Sequence, residues 1–484
     1  MNISKEKRNW GTAIFLALTV RMFFVWFYPQ TVQKDAAVFD QLGINIAFTG
    51  QMYPGSNYDF REVLSRTPVY PYFLALVYRL GSHSFHLVRI IQVFIDTGTC
   101  LLVFFISRLL GFPTPVSFLA LGLAAINPFT SAYTSALLAE SLGTFLLVFS
   151  LFLFYLALKE GKVLAFILTG ATFGILTLSR PQFVLLLPLI LIIQFFIWLK
   201  NDRALNKLNS LLVVLLVLIP YLARWGVWII YPDYLSSLFF LMVSPILMFL
   251  WFVIPRTANE KKSWVFSRKI MVGIILAVVI NVMIIMSWTF RNYLITSKFV
   301  PLVISAYPGS VGYYLVTLPI PWGKDPMETD ERWKKFLQAE GEEQKKLGKE
   351  MEEIGYQRLV SKPHYYLWLT FRRAIRLWNH GNLLYSISYK EPRWVWGIFT
   401  GITFGYYLLA VWGAWLTRKR WRILFPLYIP FFYLTILCSP GHVEDRYSIE
   451  VFPITCLLGG VGLYYLWASY KKKDIPEYES IVDL

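Results

Sequence analysis

Charged residues are scarce in this sequence: Asp, Glu, Lys and Arg make up 15% of its 484 residues, while 56% are hydrophobic. A soluble chain of this length would divide into two or three domains with charge-rich surfaces, about a quarter of their residues charged. That class is excluded. Cysteine is scarcer still. Cys100, Cys438 and Cys456 all fall within apolar runs, without metal-ligand spacing, so they read as small packing residues and not as a disulfide framework. His83, His86 and His442 likewise lack clear ligand spacing. The segments between apolar runs contain no glycine-rich phosphate loop, no paired-aspartate or D-x-D motif and no nucleotide-binding unit. A cytosolic nucleotide derivative is therefore a poor candidate substrate. Internal repeats and low-complexity tracts are also missing.

What the chain does have is long apolar runs of roughly 17 to 24 residues, enough to cross a hydrocarbon core about 30 Å thick. Expected spans are 10–28, 86–106, 115–133, 137–158, 162–179, 182–199, 209–230, 235–254, 270–290, 393–416, 422–438 and 447–468. The first follows a basic leader (Lys5, Lys7, Arg8) and has no small-x-small cleavage site, so it reads as an uncleaved span. With the N-terminus in the cytoplasm, the inside segments carry Lys5/Lys7/Arg8, Arg108, Lys159/Lys162, Lys200/Arg203/Lys207, Arg256 to Lys269, Arg418/Lys419/Arg420/Arg422 and Lys471/Lys472/Lys473. Each short inside loop thus has Lys or Arg, as the positive-inside rule requires. The net charge of +17 is explained by this topology. Nucleic acid is not an expected partner, because no soluble basic domain exists to bind it.

Two segments break the spanning pattern, and both fall outside. In residues 29–85 the stretch from about Val63 to Leu80 is apolar and aromatic but interrupted by Arg66, Pro68 and Pro71. It reads as a helix lying along the outer surface. In residues 291–392 the stretch from Asp330 to Leu359 is rich in Glu and Lys, with helix-spaced apolar positions and pairs such as Glu331/Lys335 and Glu342/Lys346. It reads as a small helical insertion. The expected organisation is an N-terminal transmembrane module (1–290), an outer helical insertion (291–392) and a C-terminal transmembrane module with a cytoplasmic tail (393–484).

Acidic residues near membrane borders collect on the outer side: Asp35, Asp40, Asp59, Glu62, Glu140, Asp233, Glu444 and Asp445. Arg66, Arg180, Arg291 and Arg446 lie at the same level. Charge at membrane depth is costly unless it pairs or lines a wet cavity, so the set points to a polar, outward-facing cavity. The competing reading makes each an ordinary loop residue. Glu140, at the start of its span, fits either. Asp96 sits mid-span, in a hydrogen-bonded packing role or in a site; Arg21 either snorkels outward or pairs within the bundle.

Several stretches resemble the GT-C glycosyltransferases, in particular the branch of protein O-mannosyltransferases and lipid A aminoarabinose transferases. They are Asp35 in QKDAAVFDQLGINIAFTG, SRTPVYPYFLALVYRLG (65–81), SWTFRNYLITSKFVPL (287–302), KPHYYLWLTFRRAIRLW (362–378) and GHVEDRYSIEVFPI (441–454). The resemblance implies an all-α GT-C-type bundle of about twelve transmembrane helices with an outer juxtamembrane helix. It implies transfer of a sugar from a polyprenyl-phosphate carrier to a glycan, lipid or protein acceptor, with inversion at the anomeric carbon. It makes Asp35 the catalytic carboxylate and Asp59 or Glu62 a second acid. Arginine has a fork matched to phosphate oxygens, so Arg446 first, then Arg66, Arg291 and Arg180, are the candidates for the donor phosphate. Glu140, Glu444 and Tyr447 would line the cavity. No metal ligand is assigned, although members differ in metal use and a divalent cation stays open. Aminoarabinose transferases have Lys-Pro at the start of the juxtamembrane helix, where this chain has Arg66-Thr67-Pro68. That leaves the sugar and acceptor undetermined. The expected setting is a multi-pass protein of the cell membrane with its site facing the periplasm or exterior. The alternative classes are a transporter or lipid flippase, for which no repeat is evident, and a noncatalytic membrane subunit, which would tolerate replacement of Asp35.

Overall fold

A computed structural model describes residues 3–54, 64–201, 268–297, 299–303, 330–339, 341–382, 393–440 and 443–471. Among these residues all regular structure is helical. Seven helices are long and apolar enough to cross a membrane, and three shorter apolar ones accompany them. The chain is an all-α, multi-pass membrane protein. Two expected spans, 209–230 and 235–254, lie outside the described residues.

The first span is α1 (Ile3–Phe27), and two helices then occupy the region expected to be an outer loop: α2 (Asp35–Thr49) and α3 (Val69–Gly81). They pack against each other, with Leu42, Ile46, Tyr70, Leu74 and Tyr78 buried. The α3 helix is the juxtamembrane helix expected from the sequence; α2 was not anticipated. Next comes α4 (Phe85–Leu109), whose N-terminus is capped by the Ser84 hydroxyl accepting from the Leu87 N–H at 3.3 Å.

The expected span 115–133 is not one helix. α5 (Thr114–Ala125) ends at an Asn-Pro step, and the six-residue α6 (Pro128–Tyr133) begins a buried excursion. Pro128 disfavours helical backbone at Asn127, and the Asn127 side chain instead accepts from the Phe129 N–H at 2.8 Å. The break strands carbonyls at the end of α5. Fully buried Arg21 collects them, donating to Ala125 O at 3.0 Å and Ala124 O at 3.3 Å, while its Nε lies 2.7 Å from Asp96. Arg21 therefore pairs within the bundle and does not snorkel, and Asp96 takes the packing role. Together they tie α1, α4 and α5.

Beyond the excursion come α7 (Glu140–Glu160), α8 (Val163–Ser179), a 3-10 turn (Pro181–Phe183) and α9 (Leu186–Asn201). α10 (Arg268–Thr296) runs six residues past its expected end at 290 and packs closely on α8. A Cβ on Gly170 would lie 2.1 Å from Ala277 O, so only glycine permits this approach. The insertion expected on the outer side contains α11 (Glu331–Gln338) and α12 (Gly341–Ser361), with a small core of Trp333, Phe336 and Met351. Glu331 pairs with Lys334 at 2.8 Å and not with Lys335. The chain returns through α13 (Pro363–Leu377) to the spans α14 (Arg393–Leu416), α15 (Trp421–Cys438) and α16 (Phe452–Tyr470), the last preceded by a 3-10 segment (Asp445–Val451).

Candidate active site

Asp35 opens α2. Lys34 before it has φ 50°, a left-handed conformation uncommon for a residue with a Cβ, and this turn sets the carboxylate at the helix N-terminus. Partial positive charge there favours the ionised form. Arg66 precedes α3, and the adjoining Thr67 hydroxyl donates to Ser179 O at 3.3 Å. Arg446 comes from the 3-10 segment before the last span. The fold thus joins three chain regions far apart in sequence.

Arg66 Nη2 lies 2.6 Å from Asp35 Oδ1, and Arg446 Nη2 lies 2.7 Å from Asp35 Oδ2. Arg446 also reaches Glu444 at 2.5 Å through Nε and Glu140 at 3.7 Å through Nη1. Glu140 is in turn 3.3 Å from Arg180 Nη1, and Arg180 Nε is 2.6 Å from Glu450. The result is one chain of charge, Arg66–Asp35–Arg446–Glu140–Arg180–Glu450, with Glu444 as a side branch. The Asp35 end is the more exposed: Asp35 is 31% exposed and Arg446 18%, against 1% for Glu140, 13% for Arg180 and a fully buried Glu450. Tyr447 lies under both Arg446 and Arg180, its ring centroid 5.9 and 6.0 Å from their guanidinium carbons.

Burial alone would raise the Asp35 pKa, but the Arg446 and Arg66 charges overcome it and hold the carboxyl below its ordinary value. Asp35 is therefore ionised at neutral pH. Each oxygen has lone pairs beyond those its arginine occupies, so the group can still accept a proton.

The 3-10 segment is pinned from behind. Ser448 Oγ donates to Leu377 O, the last residue of α13, and lies 3.1 Å from His380 Nε2. Burial pushes the His380 imidazole down to about 3, so it is neutral.

Of the outer charges expected to meet, Asp35, Arg66, Glu140, Arg180, Glu444 and Arg446 do so, with Tyr447 beside them. Arg291 does not join them. It lies 4.5 Å over the Trp288 ring and 6.0 Å from that of Tyr53, with Asn292 as its hydrogen-bond partner. Asp40 is separate as well, accepting from Tyr78 Oη at 2.6 Å and lying 2.8 Å from His83 Nε2. Asp59, Glu62, Asp233 and His442 lie outside the described residues. Glu450 was missed because it stands inside an apparently apolar span; its one signal is that a carboxylate at such depth requires a partner.

Carboxylates that each face a guanidinium are a poor cradle for a divalent cation, which the arginines would repel. Among the described residues no group of three or more His, Cys, Asp or Glu is placed to hold a metal ion.

Residues 65–228 match the model of the dolichyl-phosphate-mannose-protein mannosyltransferase family. No curated protein matches the chain. Among solved structures, it is similar to the archaeal oligosaccharyltransferase AglB from Archaeoglobus fulgidus in complex with an inhibitory peptide and a dolichol-phosphate. Identity is 13% and the TM-score 0.48, over 97% of this chain and 52% of that one, so the chain spans about half the length of that relative. It is also similar to ArnT from Cupriavidus metallidurans bound to undecaprenyl phosphate, at 11% identity and a TM-score of 0.28, over 96% and 81% of the two chains. The family match begins at Ser65, where the stretch read as the juxtamembrane helix begins, and it bears out the resemblance read from the sequence.

Proposed function

We propose that this chain is an inverting glycosyltransferase that moves a sugar from a polyprenyl-phosphate carrier to an acceptor hydroxyl at the non-cytoplasmic membrane face. The observation that carries this reading is a carboxylate, Asp35, held ionised between Arg66 and Arg446 at the open end of a buried ion network. Proton-coupled transporters also use membrane carboxylates, so it is the family match that favours sugar transfer over transport.

Acceptor hydroxyls, on a glycan, lipid or protein, are poor nucleophiles near neutral pH. As the acceptor oxygen attacks the anomeric carbon, Asp35 takes its proton and the bond from that carbon to the phosphate oxygen breaks. The bonding pair leaves on the lipid phosphate, already a good leaving group, so fixed positive charge matters more than a general acid. Arg446 is committed to Asp35, Glu444 and Glu140, which suits it to orienting the base. Arg66 Nε is buried without a hydrogen-bond partner, and Arg291 has no ion-pair partner among the described residues. These two are the better placed to receive the donor phosphate. Arg180, between Glu140 and the fully buried Glu450, sets Glu140, while Glu444 and Tyr447 wall the site. Asp59 and Glu62 stay proposed as a second acid.

The test is sugar transfer from a polyprenyl-phosphate donor by purified protein in lipid, with wild type and Asp35→Asn compared. Undiminished turnover in the variant removes Asp35 as base. Mass spectrometry of envelope lipids, glycans and glycoproteins with and without the protein identifies the sugar, hexose or pentose, and its acceptor.

A further inference from the structure

The α13 helix leaves a large apolar face without a partner among the described residues. Leu367, Trp368, Phe371 and Ile375 are 67%, 53%, 56% and 45% exposed. At 3.6 residues per turn these four fall within an arc of about 100°, the width of an amphipathic stripe. Leu369, Arg373 and Leu377, on the opposite side of the helix, are buried against the bundle. Arg372 and Arg376 lie between the two faces.

The orientation of α13 follows from its polar anchors. Tyr366 Oη donates to Pro440 O at 3.0 Å, and Arg373 Nη1 reaches the same carbonyl at 3.3 Å. These residues are about 10 Å apart along the helix axis, yet they converge on one point just past the end of α15. The helix therefore crosses the end of that span and does not run along it. Its C-terminal neighbour Trp378 donates to Thr435 Oγ1, in the last turn of α15, at 2.8 Å. On α15 at that same level, Phe432 and Ile436 are 68% and 75% exposed, as befits residues turned toward lipid. The apolar face of α13 thus continues a lipid-facing surface.

We infer that α13 is an interfacial helix seated in the leaflet on the Asp35 side of the membrane, with Leu367, Trp368, Phe371 and Ile375 among the acyl chains. Arg372 and Arg376 stand on the flank, at the level of lipid phosphates, the arrangement of a basic amphipathic helix at an interface. Because Ser448 is bonded to Leu377 O at its end, this seat fixes the height of the turn that carries Arg446. The inference stands whatever reaction the site performs.

Nitroxide labels at Leu367→Cys and Phe371→Cys, in protein reconstituted into liposomes, test it by collision with oxygen and with a water-soluble nickel chelate. The three native cysteines are buried, and labelling of the wild type checks that they stay silent. Glu352→Cys, on an exposed position of α12, is the aqueous control. Both α13 labels are expected to gain oxygen and lose nickel accessibility relative to that control. Nickel accessibility equal to the control places the face in water and overturns the inference. Protection from both reagents means that other parts of the chain or a second copy cover it, which overturns it equally. As a measurement without added cysteine, brominated lipids should quench wild-type tryptophan fluorescence more than that of Trp368→Phe; equal quenching also overturns the inference.

Discussion

Replacing Asp35 with Asn removes the proposed proton acceptor while leaving a side chain of nearly the same size. General-base participation contributes about 10²- to 10⁴-fold, or roughly 3 to 5 kcal/mol at about 1.4 kcal/mol per tenfold, and kcat should fall by that amount. Donor binding should move the other way. Asp35 neutralises Arg66 and Arg446 at 2.6 and 2.7 Å; in the variant both guanidinium groups lose that counter-charge, and an anionic donor meets a more positive site. The expected pattern is a large loss in kcat with donor KM unchanged or lowered. A residue that merely held the site together would raise KM as well. Because Asp35 is about one-third exposed, the fold should survive, which size-exclusion profiles and circular dichroism in detergent can confirm. The assay is initial-rate transfer from a labelled short-chain polyprenyl-phosphate sugar, varied in donor at saturating acceptor. A kcat loss below about tenfold would refute the base assignment, as would a loss seated entirely in KM.

Arg291→Ala and Arg66→Ala should each raise donor KM, about 10²- to 10³-fold in kcat/KM if the guanidinium meets the phosphate in the transition state; unchanged donor kinetics would take that arginine out of the site. Since Asp35 is held below the ordinary carboxylate range, the acid limb of kcat/KM should fall below about pH 4 for any loss due to its protonation. Its contribution to stability is likewise present above the unfolded value and lost as pH falls through the lowered folded one, which thermal unfolding against pH reports. Arg21→Met should cost about 3 to 5 kcal/mol by leaving Asp96 buried and unpaired, and Arg21→Met with Asp96→Leu should recover much of it; a double variant less stable than both singles in a thermal melt contradicts this. Gly143→Ala would bring a Cβ to 2.9 Å from Arg180 Cγ and 3.5 Å from Glu450 Cγ, so activity should drop while the melting temperature shifts little; wild-type turnover would show that the Arg180–Glu450 pair can move freely.

Much of the fold was legible because membrane topology is written in one dimension. Apolar run length locates spans, so α14 begins at Arg393 and ends at Leu416, as the run itself does. The Asn127-Pro128 step was equally visible, but a hydropathy run absorbs a helix break without trace. Pairing is another matter. Arg446 and Asp35 are 411 positions apart, and nothing local distinguishes an arginine that will meet Asp35 from Arg291, which stacks on its own helix neighbour Trp288. Sidedness could bring the outer charges to one rim; only packing could divide them into a network and an arginine that stands apart from it.

That division carries a chemical consequence. Among the described residues, the network holds Asp35, Glu140, Glu444 and Glu450 against Arg66, Arg180 and Arg446, an excess of one carboxylate. In the proposed reaction a phosphate-bearing donor would add further negative charge, and the attacking hydroxyl would deliver a proton to the same site. At the deep end, Glu140 Oε2 and Arg180 Nη2 are buried without hydrogen-bond partners, a cost of about 1 to 3 kcal/mol for each such group. Arg66 Nε is likewise unpartnered at the exposed end, so the network is poised for a polar visitor. An acceptor hydroxyl in the proposed reaction would need both a base and an exclusion of competing water, and the difference in exposure between Asp35 and Glu450 would supply the two at opposite ends of one connected set of side chains.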